Sequence, residues 1–137
     1  GATPVVTTGH EVHKKYILGL GTRRGISPGQ VKQAIARGLR KAKVKLGEVR
    51  LAVTIELKKN ENGLTRACED LGLPLLFIST KSIENFNAGL AASQVVQRHL
   101  GIDGVCEPCA LLAGRRTKLI LRKQIHAGVT VAIAEEN

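Results

Sequence analysis

The pattern of apolar and polar positions along this chain changes period several times, and each change marks a boundary between predicted elements. Five short runs, apolar or alternating, are typical of β-strands and lie at 16–20, 49–57, 73–79, 117–124 and 129–134. The run at 73–79 is continuously apolar, which predicts a strand buried on both faces. Residues 126–128 lie between the last two runs and predict the turn of a C-terminal β-hairpin.

Apolar residues spaced three or four positions apart predict helices between these strands. The segments with helical character are 27–42, 60–72, 82–87, 93–100 and 107–114. The first begins at Ser27, with Pro28 in the first helical position and Gln30 where a capping box places it. The second begins with a cap at Asn60.

Alternating strands and helices that end in a hairpin predict an α/β fold, a single domain with a mixed β-sheet covered by helices. The length of 137 residues suits one domain. Residues 1–13 have no clear period, so we expect a tail or linker there and the domain at 14–137. No apolar run approaches the ~20 residues of a membrane span, and no signal peptide pattern is present.

The net charge of +10 indicates the kind of partner to expect, and the three cysteines indicate the cell compartment. Many cations fall between positions 32 and 50, namely Lys32, Arg37, Arg40, Lys41, Lys43, Lys45 and Arg50. Such a field suits an anionic partner, although a solvated helix face gives the same pattern. An odd number of cysteines without a secretion signal predicts reduced thiols and a cytoplasmic location.

The first candidate motif is GLGTRRG at 19–25, between a strand and a helix. Glycines allow a tight turn, and Arg23 and Arg24 supply forked donors for carboxylate or phosphate. The motif departs from a dinucleotide fingerprint because Gly25 comes one residue late and no acidic residue follows at the expected distance. An anion site and a purely structural turn both remain open.

The second candidate motif, TIELKKNENGL at 54–64, spans a strand end and the next helix start. Ligands gather at such strand ends, so Lys58 and Glu61 are placed for recognition or acid–base work. A surface ion pair between the same two residues is the alternative.

The third candidate motif, VCEPCALLA at 105–113, contains a C-x-x-C pair. Cys106 and Cys109 suggest a redox site or half a zinc site, or small packing residues around a functional Glu107. The four histidines do not form a ligand set, and no metal site is predicted.

These motifs, in this order and spacing, resemble the family of CobE and the C-terminal domain of CbiG. The similar stretches cover about residues 15–134 and are GLGTRRG, TIELKKNENGL, GLPL, GVCEPCALLA, LILRK and GVTVAIA. Two positions depart from the family pattern: Thr22 stands where many relatives carry Cys, and Cys109 where a small residue is usual. Both departures argue against a catalytic thiol.

The resemblance implies a role in cobalamin biosynthesis, at the corrin-ring contraction stage. CbiG-type proteins resemble hydrolases that open the ring lactone of cobalt-precorrin-5A and release acetaldehyde, in a longer protein with a further N-terminal domain. No separate cofactor is implied, because cobalt arrives within the substrate. The positions implied for substrate binding are Gly21, Arg23, Arg24, Lys58 and Lys123. The implied acid–base candidates are Glu61 and Glu107.

The implied partner is an anionic corrin or precorrin intermediate, together with an N-terminal CbiG domain or other pathway enzymes. Arg and Lys clusters favour such a ligand because its acetate and propionate side chains make it a polyanion. We expect the glycine turn, Lys58 and Glu107 to share one cationic cavity. A non-catalytic corrinoid-binding or carrier module is the alternative. A small basic nucleic-acid binder is a third, although the chain lacks the aromatic platforms of single-strand binders.

Overall fold

A five-stranded mixed sheet forms the centre of the computed structural model, which describes residues 14–56, 61–88, 102–114 and 116–136. Its strands are β1 (Tyr16–Thr22), β2 (Val49–Ile55), β3 (Leu75–Ile78), β4 (Thr117–His126) and β5 (Val129–Glu136). The strand order is β3-β2-β1-β5-β4. Strands β1, β2 and β3 are parallel, whereas β5 runs antiparallel to both β1 and β4. The predicted α/β fold with a mixed sheet and a C-terminal hairpin is confirmed.

Four described helices cover the two faces of this sheet. They are α1 (Pro28–Ala42), α2 (Asn62–Leu71), α3 (Thr80–Ala88) and α4 (Ile102–Leu112), with a short 3-10 turn at Leu46–Glu48. Helices α1 and α2 bury their apolar side chains in one core with Leu18 and Leu20 of β1. Helices α3 and α4 pack on the other face, in a second core that includes Ile17. Among the described residues, no helix is long and apolar enough to cross a membrane.

Helix α4 lies unusually close to β1, and Gly19 permits this. A Cβ added at Gly19 would collide with the carbonyl oxygen of Cys106. The alternation of side chains along β1 points Leu18 and Leu20 towards α1, so the glycine falls on the α4 side. The small residue in the glycine motif therefore sets the distance between helix and sheet.

The predicted capping box of α1 is confirmed. The Gln30 N–H donates to Ser27 Oγ at 3.2 Å, and the Ser27 N–H donates to Gln30 Oε1 at 3.1 Å. Helix α2 differs from the prediction, because its N-cap is Glu61. The predicted cap, Asn60, lies outside the described residues. Gly72 ends α2 as predicted, with φ of 71° in the left-handed region.

Two predicted elements differ from the structure for identifiable reasons. Strand β3 is an edge strand, so Leu76 and Phe77 are 42% and 37% exposed and the expectation of burial on both faces is wrong. Helix α4 begins at Ile102 and contains Pro108, whereas the sequence predicted a start at Glu107. Proline costs one helical hydrogen bond, but Cys106 and its neighbours are buried against the sheet and compensate.

Helix α3 also exceeds its predicted extent, 82–87. Ser79 caps its first turn, since Ser79 Oγ accepts from the Ser82 N–H at 3.1 Å. The predicted helix at 93–100 and the predicted tail at 1–13 lie outside the described residues.

Candidate functional site

The carboxyl ends of β1 and β2 meet the first turns of α1 and α2 at one edge of the sheet. We call this place the strand edge and define it by residues 22–25, Glu61 and the hairpin tip Ala127–Gly128. In open α/β sheets, ligands bind in the crevice outside the carboxyl ends of parallel strands. The first candidate motif and Glu61 of the second both lie there.

A hydrogen bond joins the glycine turn to helix α2. The backbone N–H of Gly25 donates to Glu61 Oε1 at 3.0 Å, and Gly25 has φ of 77°. Glu61 is the N-cap of α2, yet its side chain makes no capping bond to its own helix. Two residues later, a Cβ at Gly63 would collide with the carbonyl oxygen of Ile26. The turn and the start of α2 therefore form one close-packed unit.

The hairpin tip holds the other side of the turn. The Arg23 N–H donates to the Gly128 carbonyl at 3.0 Å, and Gln30 Nε2 donates to the Ala127 carbonyl at 3.3 Å. Gly128 has φ of 84°, and a Cβ there would be 3.2 Å from Arg23 Cδ. The Arg23 stem lies against the hairpin while the residue as a whole is exposed. Backbone contacts from two directions thus fix the position from which Arg23 projects.

The remaining predicted binding residues have different surroundings. Gly21 is buried within β1, and its carbonyl accepts from Thr130 Oγ1 at 3.4 Å. Arg24 is exposed in the turn. Lys58 lies outside the described residues. Glu56, which the sequence interpretation did not single out, directly follows β2 and accepts from the Thr80 N–H at 3.3 Å through Oε1.

Glu107 and Lys123 are neighbours through the backbone of an irregular strand. The Lys123 N–H donates to Glu107 Oε2 at 2.9 Å, at a position where the β4–β5 register shifts between Leu121 and Gln124. A bulge removes an N–H from the ladder, and the carboxylate accepts it. The sequence offered no signal for this contact, because the bulge arises only from strand pairing.

The two acid–base candidates lie on helices of opposite sheet faces. Glu61 begins α2, which belongs to the core of Leu18, whereas Glu107 is on α4, which belongs to the core of Ile17. The geometry ties Glu61 to the glycine turn and Glu107 to β4. Their assigned roles in substrate binding or acid–base chemistry stay predictions.

The side chain of Thr22 at the end of β1 is a further polar group at the strand edge. Thr22 is fully buried, and its Oγ1 has no hydrogen-bond partner among the described residues. An unsatisfied buried hydroxyl is costly. It lies one residue before Arg23, at the position where the family pattern often has Cys.

The three cysteines are all buried. Burial raises the pKa of Cys106 and of Cys109 to about 12, and the pKa of Cys68 to about 11. Reactive thiols need lowered values, so these contacts favour the packing role over the redox role of the C-x-x-C pair. Among the described residues, no group of three His, Cys, Asp or Glu side chains is arranged to hold a metal ion.

A cavity lies elsewhere, between α1 and the end of β4. This α1–β4 groove has a volume of about 430 Å³ and is lined by Arg37, Arg40, Lys41, Gln124, Ile125 and His126, over a floor that includes Ala34 and Gly38. None of the predicted site residues that the structure describes lines it. The sequence showed the cation cluster at 32–50 but not that three of its members would border one cavity with β4.

Comparisons with known proteins agree on one family. The family model described as "Cobalamin synthesis G C-terminus" matches residues 16–134. A "Probable cobalt-precorrin-5A hydrolase" of Methanocaldococcus jannaschii is 35% identical over an alignment of 133 positions, which covers 90% of this chain and 41% of that protein. The chain therefore spans less than half the length of this relative.

Two shorter proteins match over most of their own length. "Protein CobE" of a Sinorhizobium species is 32% identical over 120 residues, covering 86% of this chain and 78% of that protein. The crystal structure of the cobalamin biosynthesis protein chiG from Agrobacterium tumefaciens superposes with a TM-score of 0.73 at 28% identity. That match covers 89% of this chain and 98% of the solved one.

Proposed function

Since this chain belongs to the cobalamin synthesis G C-terminal family, we propose that it binds a cobalt-precorrin intermediate at the strand edge. It is a cobalamin biosynthesis protein that resembles CobE and the C-terminal domain of CbiG. The name of the hydrolase relative is in keeping with the lactone-opening stage that the family resemblance implies. The ligand class is a macrocycle fringed with carboxylates, and its cobalt is part of the substrate.

The observation that carries this proposal is the rigid presentation of Arg23 and Arg24. The Arg23 backbone is held by Gly128, and the turn that carries both arginines is held by Glu61. Arginine binds carboxylate through two parallel hydrogen bonds, and a fixed backbone reduces the entropy lost on binding. The first turns of α1 and α2 add backbone N–H groups at the same edge.

Glu61 is the acid–base candidate that this arrangement favours. In lactone opening, a carboxylate takes a proton from water, the water oxygen attacks the lactone carbonyl, and the ring C–O bond breaks. The released alkoxide then takes up a proton. Glu61 is hydrogen-bonded to the turn that carries both arginines, whereas Glu107 is on a helix of the other sheet face. Carboxylates in such roles contribute about 10²- to 10⁴-fold to the rate.

The test is to mix the purified chain with cobalt-precorrin-5A and to follow both acetaldehyde release and the corrinoid absorption spectrum. Acetaldehyde release supports a hydrolase, and a shifted spectrum without turnover supports the carrier alternative. Arg23→Ala with Arg24→Ala should weaken either signal, whereas Lys81→Ala on the exposed side of α3 should not. A spectrum that the chain leaves unchanged contradicts the proposal.

A further inference from the structure

The α1–β4 groove is a second surface whose charge is not balanced. Arg37, Arg40 and Lys41 line it together with His126, and no Asp or Glu is among those of its lining residues that the structure describes. A smaller adjoining recess of about 300 Å³ is lined by Gln33, Arg37, Arg40 and His126. Three permanent cations around one cavity repel one another, and an anion relieves that repulsion.

Arg37, Arg40 and Lys41 take part in none of the ion pairs found among the described residues. The carboxylates that form ion pairs bind other basic residues, in the pairs Lys15–Glu135, Lys32–Asp70, Arg50–Glu136, Arg66–Asp70 and Lys118–Glu135. Within the described part of the chain, no carboxylate lies within 4.0 Å of the charged groups of Arg37, Arg40 or Lys41. The guanidinium and ammonium groups of the groove are thus available to a ligand.

The groove also presents an apolar surface between its cations. Ile125 is 58% exposed, which is far more than the other apolar residues of β4 and β5. Gly38 lets α1 approach the sheet closely, since a Cβ there would be 3.0 Å from Val131 Cγ1. The result is an apolar patch at Ile125 bordered by guanidinium and ammonium groups. This combination suits a flat apolar ligand with anionic arms better than it suits a simple salt ion.

A continuous set of contacts connects the groove to the strand edge. His126 precedes Ala127, whose carbonyl accepts from Gln30, and Gly128 next to it accepts from the Arg23 N–H. Gln30, Gln33 and Arg37 follow one another at three- and four-residue intervals on α1, which places them on one side of the helix. Cationic and amide groups therefore extend from the glycine turn to the groove along that side.

We infer that the α1–β4 groove is a docking site for a tetrapyrrole acid, in which Arg37, Arg40 and Lys41 bind its carboxylate side chains and Ile125 contacts its apolar ring face. The ligand class rests on the proposed function, whereas the site is separate from the strand edge. A nucleic acid would also meet the cations, but no aromatic side chain lines the groove to stack on bases.

The experiment is a spectroscopic titration at low salt with a cobalt corrinoid that carries free carboxylate side chains, repeated with its fully methyl-esterified form. The test variant is Arg37→Glu with Arg40→Glu. Its matched control is Lys14→Glu with Lys81→Glu, which changes the net charge equally at exposed positions away from the groove. We expect the test variant to bind the free acid roughly tenfold or more weakly, and the control to stay within about threefold of the unchanged chain.

The esterified corrinoid should bind the unchanged chain about as weakly as the free acid binds the test variant. Ile125→Asp provides an independent variant at a position where an exposed side chain does not support the fold, and it should weaken both corrinoids. If the unchanged chain binds the free acid and the groove variants bind it equally well, the groove inference is wrong while the proposed function stands.

Two further results would show that the proposed function is wrong or that the groove binds nucleic acid. If the unchanged chain binds no corrinoid at all, the proposed function fails, and the ligand named for the groove fails with it. If the groove variants lose affinity for a random oligonucleotide but keep that for the corrinoid, the groove is a nucleic-acid site and the inference is overturned.

Discussion

The carboxylate of Glu61 accepts a hydrogen bond from the backbone N–H of Gly25 at 3.0 Å, across 36 positions of the sequence. This contact satisfies an N–H that the left-handed conformation of Gly25 directs out of the turn. It also fixes one carboxylate oxygen against the turn that carries the exposed Arg23 and Arg24. A single residue therefore supports the turn and stands where a reacting group is needed.

Replacing Glu61 separates those two roles. Glu61→Ala removes the acceptor of Gly25, and we expect a loss of about 1 kcal/mol in the free energy of unfolding, measured with urea. Glu61→Gln keeps an acceptor oxygen and should stay within about 0.5 kcal/mol of the unchanged chain. If Glu61 is the base, the Gln variant still loses about 10²-fold or more in acetaldehyde release.

A Gln variant with unchanged turnover would assign Glu61 a purely structural role. In that case Glu107→Gln becomes the informative variant, because its carbonyl can still accept from the Lys123 N–H and leave the bulge of β4 intact.

Gly19 should tolerate no side chain, because α4 rests directly on it. Gly19→Ala brings its Cβ against the Cys106 carbonyl, and we expect a loss of about 1–3 kcal/mol or more. Gly47→Ala is the matched control, since a Cβ there meets nothing within 4 Å, and it should change stability by less than about 0.5 kcal/mol. Equal urea midpoints for the two variants would contradict the close packing of α4 on β1.

The buried thiols should make the fold less stable at alkaline pH. Burial raises the pKa of Cys109 to about 12 in the folded chain, whereas an unfolded thiol has about 8.5. The folded state then holds more protons above pH 9, so the free energy of unfolding falls as pH rises. Between pH 8 and pH 10, Cys109→Ala should lose roughly 1–2 kcal/mol less than the unchanged chain, by urea unfolding at both values.

Thiol reactivity gives an independent check on the same burial. We expect Cys68, Cys106 and Cys109 to react with a thiol-specific reagent at pH 8 only after denaturant is added. Rapid labelling of the native chain at Cys106 or Cys109 would instead point to an accessible C-x-x-C pair.

Removing the hydroxyl of Thr22 should raise the free energy of unfolding, whereas the Glu61→Ala and Gly19→Ala substitutions should lower it. Thr22→Val removes an unpartnered buried Oγ1 while keeping the branched shape, and we expect a gain of about 1 kcal/mol in the free energy of unfolding. The measurement is urea unfolding, with corrinoid titration beside it. Weaker corrinoid binding by a more stable Val variant would assign the hydroxyl to the site, and a less stable Val variant would show that Oγ1 has a hydrogen-bond partner and would contradict the prediction.

Much of the fold follows from local pattern alone. The capping box at Ser27 and Gln30 involves residues three apart, so the sequence determines it directly. Gly72 ends α2 for an equally local reason, the low cost of a left-handed conformation in glycine. The spacing of apolar residues likewise predicted all five strands of the sheet. Because the GLGTRRG motif lies between a predicted strand and a predicted helix, the sequence also placed Arg23 and Arg24 at a strand end.

The failures of prediction share a different cause. A continuous apolar run such as that of β3 occurs in edge strands as well as in central strands, so the sequence pattern does not distinguish them. The position of β3 at the end of the strand order is what leaves Phe77 exposed. The local pattern predicted a helix that begins at Glu107, whereas α4 begins at Ile102 and continues through Pro108 because its residues are buried against β1. In both places, contacts between distant segments outweigh a local preference of a few kcal/mol at most.

The chain by itself determined the order of the strands and helices, the capping box of α1, the family motifs and the excess of positive charge. Only the tertiary structure decided which charges became neighbours: Glu61 with Gly25, Glu107 with the bulge at Lys123, and Arg37 and Arg40 with His126 around one groove. The physical reason is that local pattern depends on residues three or four apart. A site depends instead on strand order and helix placement, which bring together groups that are dozens of residues apart.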